Sequence, residues 1–154
     1  MDEVDAVILQ ELQRDARLSN KDLAERLSIA ASTCLERTRR LQRQGAITGY
    51  HADVALEALG RHVQALVAVS VRPLRRETID AFQDAVSRLP EVMSTFVLAG
   101  GDDFLVHVGV PSNDHLHAFL IDKLSARRDV VSFRTSTIFR HTRKTVLEAL
   151  PEGR

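Results

Sequence analysis

Apolar positions repeat along this chain with two different periods, and the change falls near Gly60. Before it the period is helical. Val4, Val7, Ile8 and Leu12 fall at i, i+3, i+4 and i+8, one stripe of a first helix that ends before RDARLSN. Ser19 stands three residues ahead of Asp22, a capping-box pattern that opens a second helix through Leu23, Ala24 and Leu27. A third helix is predicted from about Ala31 to Gln44, stopped by Gly45 as the C′ residue. Three short helices with tight connections are the plan of a helix-turn-helix unit. AITGYHADV, which follows Gly45, has strand-like residues around a glycine and predicts a small β-wing.

After Gly60 the period is two. HVQALVAVSV places Val63, Ala65, Val67, Val69 and Val71 on one face of a strand. Ile79, Phe82, Val86 and Leu89 make a helix that Pro90 ends. VMSTFVLA and FLVHVGV are two strands joined by GGDD as a hairpin, and Leu116, Phe119, Leu120 and Leu124 form another helix. VVSFRTSTIF closes the set with Val131, Phe133, Thr135, Thr137 and Phe139 on one side; the tail TRKTVLEALPEGR could add one more strand. The order β-α-β-β-α-β predicts a ferredoxin-like α+β domain with helices on one sheet face. Both faces of several strands are apolar, however. Leu66 and Ala68 alternate with the valines of the first strand, and Met93 and Val97 oppose Phe96 and Leu98 on the second. A second apolar face needs a cover, and an identical chain is the simplest one, so a dimer is expected. The expected organisation is a winged helix-turn-helix over 1–52, a linker over 53–60 and the ferredoxin-like domain over 61–154.

Charge sharpens the first module. Lys+Arg and Asp+Glu are both 21 in 154 residues, and the part up to Gly60 has 8 basic against 10 acidic residues, so no overall field favours a polyanion. Yet four arginines crowd into seven positions, 37 to 43. At about 100° per residue, Cys34, Thr38 and Leu41 fall together facing the first helix. Ser32, Thr33, Glu36, Arg39, Arg40 and Arg43 cover the opposite face, with Arg37 at its border. Small hydroxyl residues at a helix start let it approach base edges, and arginine forks pair with guanine edges or phosphate oxygens. Alone, such a face is also what a solvated amphipathic helix carries. Two helices before it and a glycine and wing after it favour double-stranded DNA as its partner.

Other features exclude more than they assign. MDEVDAVILQ reads as neither a signal nor a transit peptide, no stretch approaches the roughly 18 apolar residues of a spanning helix, and the single cysteine, Cys34, suits a reducing cytoplasm and core packing. None of the six histidines forms an i, i+4 helical pair, so no metal and no cofactor are expected.

By joint order and spacing, LSNKDLAERL, CLERTRRLQRQGAITGY, LG at 59–60, LPEV at 89–92 and AGGDDFLVHVGV at 99–110 make the chain similar to the Lrp/AsnC (feast/famine) transcription regulators, from about Asp2 to Ala149. The resemblance implies a DNA-binding winged helix-turn-helix and a ferredoxin-like domain. The latter would dimerise, assemble dimers into larger rings (tetramer to octamer) and sense a small molecule, usually an amino acid. Two departures stand out. The family usually opens its third helix with Ser or Thr then Pro, where this chain has Ala30-Ala31; the cap then moves to Thr33, with Glu36 as its partner, or to Ser32. The family's loop commonly reads Gly-Asp-Tyr-Asp and is here Gly100-Gly101-Asp102-Asp103, without the aromatic.

In that loop the glycines could expose N–H groups to an effector's carboxylate, and Asp102 and Asp103 could receive its ammonium; GGDD is equally good turn chemistry. Two other functions remain as alternatives. A few proteins of this architecture decarboxylate haem-like tetrapyrroles with histidine and arginine, residue types present in FRHTRK at 139–144, although no nucleophile-base-orienter arrangement is visible. The other alternative is a small-molecule-binding module without DNA function.

Overall fold

The computed structural model describes residues 2–150. They divide into two compact units, residues 2–53 with 142–150, and residues 54–141. The tail therefore belongs with the helical unit, whereas its sequence position alone assigns it to the second.

Three helices build the first unit: α1 (Glu3–Arg14), α2 (Asn20–Leu27) and α3 (Ala31–Arg43). Each end has a local cause. Asp2 caps α1 by accepting from the Asp5 N–H at 2.9 Å, and Ser19 caps α2 by accepting from the Asp22 N–H at 3.1 Å. The Asp22 carboxylate answers by accepting from the Ser19 hydroxyl. Gly45, at φ 74°, ends α3 in the left-handed region, with the Ala46 and Ile47 N–H groups returning to the Leu41 carbonyl. Ile8, Leu23, Ala24, Cys34 and Leu41 form the buried centre, as the helical stripes predict, but Val7 of the expected α1 stripe is 37% exposed and Leu9 packs against the core instead. Burial pushes the Cys34 thiol pKa up, partly offset by the Thr38 hydroxyl, which keeps it an inert core residue. No strand forms in residues 46–53, so the expected wing is an irregular segment. The tail is held here by a two-point clasp. Gln13 Nε2 donates to the Leu147 carbonyl at 3.0 Å while Gln13 Oε1 accepts from the Leu147 N–H at 2.9 Å. Between α1, residues 46–53 and the tail lies a cleft of about 740 Å³.

In the second unit a 3-10 turn (Leu56–Leu59) precedes β1 (Val63–Val71), α4 (Arg76–Ser87), β2 (Val92–Val97), β3 (Phe104–Val110), α5 (Asn113–Phe119), a π-helical turn (Leu120–Ser125) and β4 (Val130–Thr137). The four strands form one antiparallel sheet in the order β2-β3-β1-β4. Ala65, Val67, Val69 and Val71 are fully buried with Phe104, Val106, Val108 and Val110, under Phe82, Val86, Leu116, Phe119 and Leu124 of the helices. Phe82 and Phe104 stack at 4.4 Å, and the Arg127 guanidinium covers Phe82 at 5.1 Å.

Two irregularities change the expected faces. In β4 a bulge opposite Ser70 and Val71 skips one residue, so Val130 and Phe133 pack on the core while Val131 is 63% exposed. Phe139, expected on the same side, lies beyond β4 and is 99% exposed. In β2 the register shifts between Val92 and Ser94, so Phe96 pairs with Leu105 and Val97 with Phe104 of the core face. The second sheet face accordingly joins Leu66, Ala68, Leu105, His107 and Phe96, not Val97.

Candidate nucleic-acid interface and effector loop

The two helices of the helix-turn-helix are joined by Ser28, Ile29 and Ala30. Ser28 takes a left-handed φ of 54°, and Asn20 Nδ2 donates to the Ala31 carbonyl at 2.8 Å, which pins the start of α3 to the start of α2. α3 begins with Ala30 as its N-cap and no side-chain cap. The expected transfer of the cap to Thr33 or Ser32 does not occur, because the chain enters α3 with Ala30 already extended and Ala31 helical. Ser32, Thr33 and Glu36 are exposed, and among the described residues their side chains have no hydrogen-bonding partner. The free N–H groups of the first turn and two uncommitted hydroxyls share one end of the helix.

The four arginines separate into two pairs. Arg39 and Arg43 are exposed and make no ion pair or hydrogen bond among the described residues. Arg37 and Arg40 do not join that open face, because α1 claims them. Arg37 Nη1 donates to Asp2 at 2.5 Å and to Asp5 at 2.9 Å, and Arg40 Nη2 donates to both Asp5 oxygens at 2.9 and 2.7 Å. The Asp5 side chain is 5% exposed. Its carboxylate needs counter-charge, and two guanidiniums supply it. The Arg37 hydrogen bond, with the capped Asp5 N–H, holds the Asp2 carboxyl below its usual range. Sequence reading of the helix alone misses this cluster, yet a signal exists: carboxylates three apart at 2 and 5 face arginines three apart at 37 and 40. A second clasp of the same kind joins Glu11 to Arg26 and Arg14, which lower the Glu11 pKa in that order.

The loop between β2 and β3 is closed by the Leu98 N–H donating to the Asp103 carbonyl at 2.8 Å. Neither Gly100 nor Gly101 takes a positive φ, and a Cβ at either would meet nothing within 4 Å. The chain's own turn therefore does not need glycine there, and the backbone stays open to approach. The aspartates are not free. Asp103 Oδ2 accepts from the Val71 N–H at 2.8 Å and from Arg72 at 3.1 Å, which ties the end of β1 to the start of β3. This is a fold contact, made through one of the two carboxylate oxygens. Asp102 accepts from Arg134 Nη2 at 2.5 Å, but Arg134 is 77% exposed and the pair sits at the rim.

His107 Nε2 donates to Gln64 Oε1 at 3.1 Å on the second sheet face, with the His141 ring 6.0 Å away; burial first, then His141, lowers its pKa. Among the described residues no three His, Cys, Asp or Glu side chains come together as a metal site, and no helix is long and apolar enough to cross a membrane.

Residues 1–42 match the AsnC-type helix-turn-helix domain, and residues 64–147 match the Lrp/AsnC ligand binding domain. The chain belongs to the Lrp/AsnC family. It is a transcriptional regulator with a DNA-binding module and a ligand-binding domain. Among its relatives, the HTH-type transcriptional regulator AldR of Mycolicibacterium smegmatis is 41% identical over 93% of this chain and 84% of that protein. The leucine-responsive regulatory protein of Escherichia coli is 30% identical over 94% and 88%. A transcriptional regulator from Neisseria meningitidis, solved as a complex with L-Met, superposes with a TM-score of 0.87 at 30% identity, covering 98% of this chain and 96% of that one. These relatives are named as regulators, not as enzymes.

Proposed function

We propose that this Lrp/AsnC regulator reads an operator by laying the first turn of α3 in the major groove and that an amino acid bound near the 98–103 loop changes its assembly or its DNA affinity. In this reading Ser32, Thr33 and Glu36 approach base edges, and Arg39 and Arg43 contact phosphate or guanine. The observation that carries it is the concentration of unpartnered groups on one side of α3: free first-turn N–H groups, two hydroxyls and two unpaired arginines. The effector reading is supported by the open backbone at Gly100 and Gly101, by Asp102 at the rim, and by relatives named for leucine or solved with L-Met. The apolar second sheet face supports a homodimer, from which a tetramer to octamer is built, acting in the cytoplasm without catalytic activity or cofactor.

Fluorescence anisotropy with duplexes enriched from genomic DNA tests this reading. Arg43→Glu should weaken binding at least tenfold with an unchanged oligomer, and leucine or methionine should shift the wild-type affinity or mass. Wild-type affinity in Arg43→Glu would remove this face from DNA.

A further inference from the structure

We infer that Asp5, seconded by Asp2, is a charge-withholding residue: it keeps Arg37 and Arg40 off the DNA and so fixes how many cations α3 offers to phosphate. The inference rests on α3 being the DNA-contacting helix and adds what limits its grip. All four arginines stand within seven positions, and an unrestrained helix would present most of them to a polyanion. Here two are bound in a cluster whose centre, Asp5, is nearly inaccessible, with four contacts of 2.5–2.9 Å from Arg37 and Arg40 to Asp2 and Asp5. Pulling both arginines toward phosphate would leave a buried carboxylate with no counter-charge, among the costliest states a fold can adopt. A phosphate contact returns much less. Each one releases about one counterion, and that contribution itself shrinks about 3.5-fold between 50 and 200 mM salt. The cluster therefore holds when DNA is present, and Arg39 and Arg43 remain as the available pair.

The consequence is selectivity. Phosphate contacts raise affinity for every sequence alike, so each arginine withheld lowers binding to random DNA without touching base readout. A chain with balanced charge, 21 basic and 21 acidic residues, then depends on base contacts and on oligomerisation for its grip.

The test uses the full chain and a fluorescent random-sequence duplex of about 30 base pairs, so no operator is needed, with anisotropy read from 50 to 200 mM NaCl. Asp5→Asn removes the charge at nearly constant shape. The slope of log affinity against log salt should steepen by about 0.9 for each released arginine that reaches a phosphate, per bound head. A purely structural role for Asp5 would weaken binding without steepening that slope. Arg40→Gln is the variant whose folding is not in question, since Asp5 keeps Arg37; it should leave the slope unchanged, whereas Arg43→Gln should make it shallower by about 0.9 per head. A slope in Asp5→Asn that stays the same or falls, or an Arg40→Gln slope that falls as far as that of Arg43→Gln, overturns the inference. If the wild type binds no duplex at any salt, the DNA-contacting role of α3 fails with it; if the wild type and Arg43→Gln behave as expected and only the Asp5 and Arg40 results differ, the withholding alone fails.

Discussion

Asp102 and Asp103 are adjacent in sequence and should fail in opposite ways when changed. Asp103 is 13% exposed, and its Oδ2 is the acceptor for the Val71 N–H. In Asp103→Ala that donor, on the buried residue Val71, loses its partner at the end of β1, and a lost hydrogen bond to a charged group costs about 1.5–3 kcal/mol. Arg72, more than half exposed, adds little, because screened surface pairs contribute about 0–1 kcal/mol. For a unit of this size each kcal/mol moves the melting temperature by about 4–8 °C, so a drop of roughly 6–24 °C is expected. Asp102→Asn breaks only the rim pair with Arg134 and should melt within a few degrees of wild type. The assignment reverses for the effector: Asp102→Asn should weaken binding about tenfold or more if Asp102 receives an ammonium, since a factor of ten is 1.4 kcal/mol. Differential scanning calorimetry, with and without leucine or methionine, reads both quantities. Equal melting temperatures for the two variants would refute the division of roles, as would an unchanged melt in Asp103→Ala.

Substituting Leu66 with lysine on the second sheet face should give monomers by light scattering with the circular dichroism of the fold retained; an intact dimer would show that this face is not the interface. Gly45→Val forces a β-branched residue to φ 74° and should destabilise the helical unit by about 1–2 kcal/mol or more, measured by urea denaturation. His107 has a folded pKa below its ordinary value, so it takes up a proton more readily when unfolded. Its contribution to stability is complete above about pH 6.5 and is lost as pH falls through the lowered folded pKa, a loss that His107→Gln should abolish in melts at pH 7.5 and 5.5. The Glu11 and Asp2 carboxyls, held low by Arg26 and Arg37, add a second loss further into acid, as pH falls below their ordinary range.

What the sequence announced, and what it hid, follows from the range of the interactions involved. Ser19 before Asp22, Gly45 after α3 and the alternating valines of β1 act within a few residues or through a strict period, and all were legible. The bulge in β4 was not, because one skipped residue reverses every later side chain and depends on the partner strand. The wing is a propensity reading of residues 46–54 that no ladder supports. In the site, the wheel correctly put Cys34 and Leu41 inside and Arg39 and Arg43 outside. It put Arg40 outside too, since a wheel carries no information about a carboxylate 35 positions away. The fold contact of Asp103 is hidden for the same reason: its partner, Val71, is 32 positions earlier.

The Gln13 clasp on Leu147 bears on how the molecule is made. A helix-turn-helix at the start of a chain is ordinarily complete as soon as it leaves the ribosome, since domains fold as units and the N-terminal one first. Here one side of α1 waits for residues synthesised more than a hundred positions later, so the head is finished only after the whole second unit has been translated. A nascent chain stalled before Thr142 would carry a head with its cleft open, and a message cut short there would encode a head that protease reaches more easily than that of the finished protein.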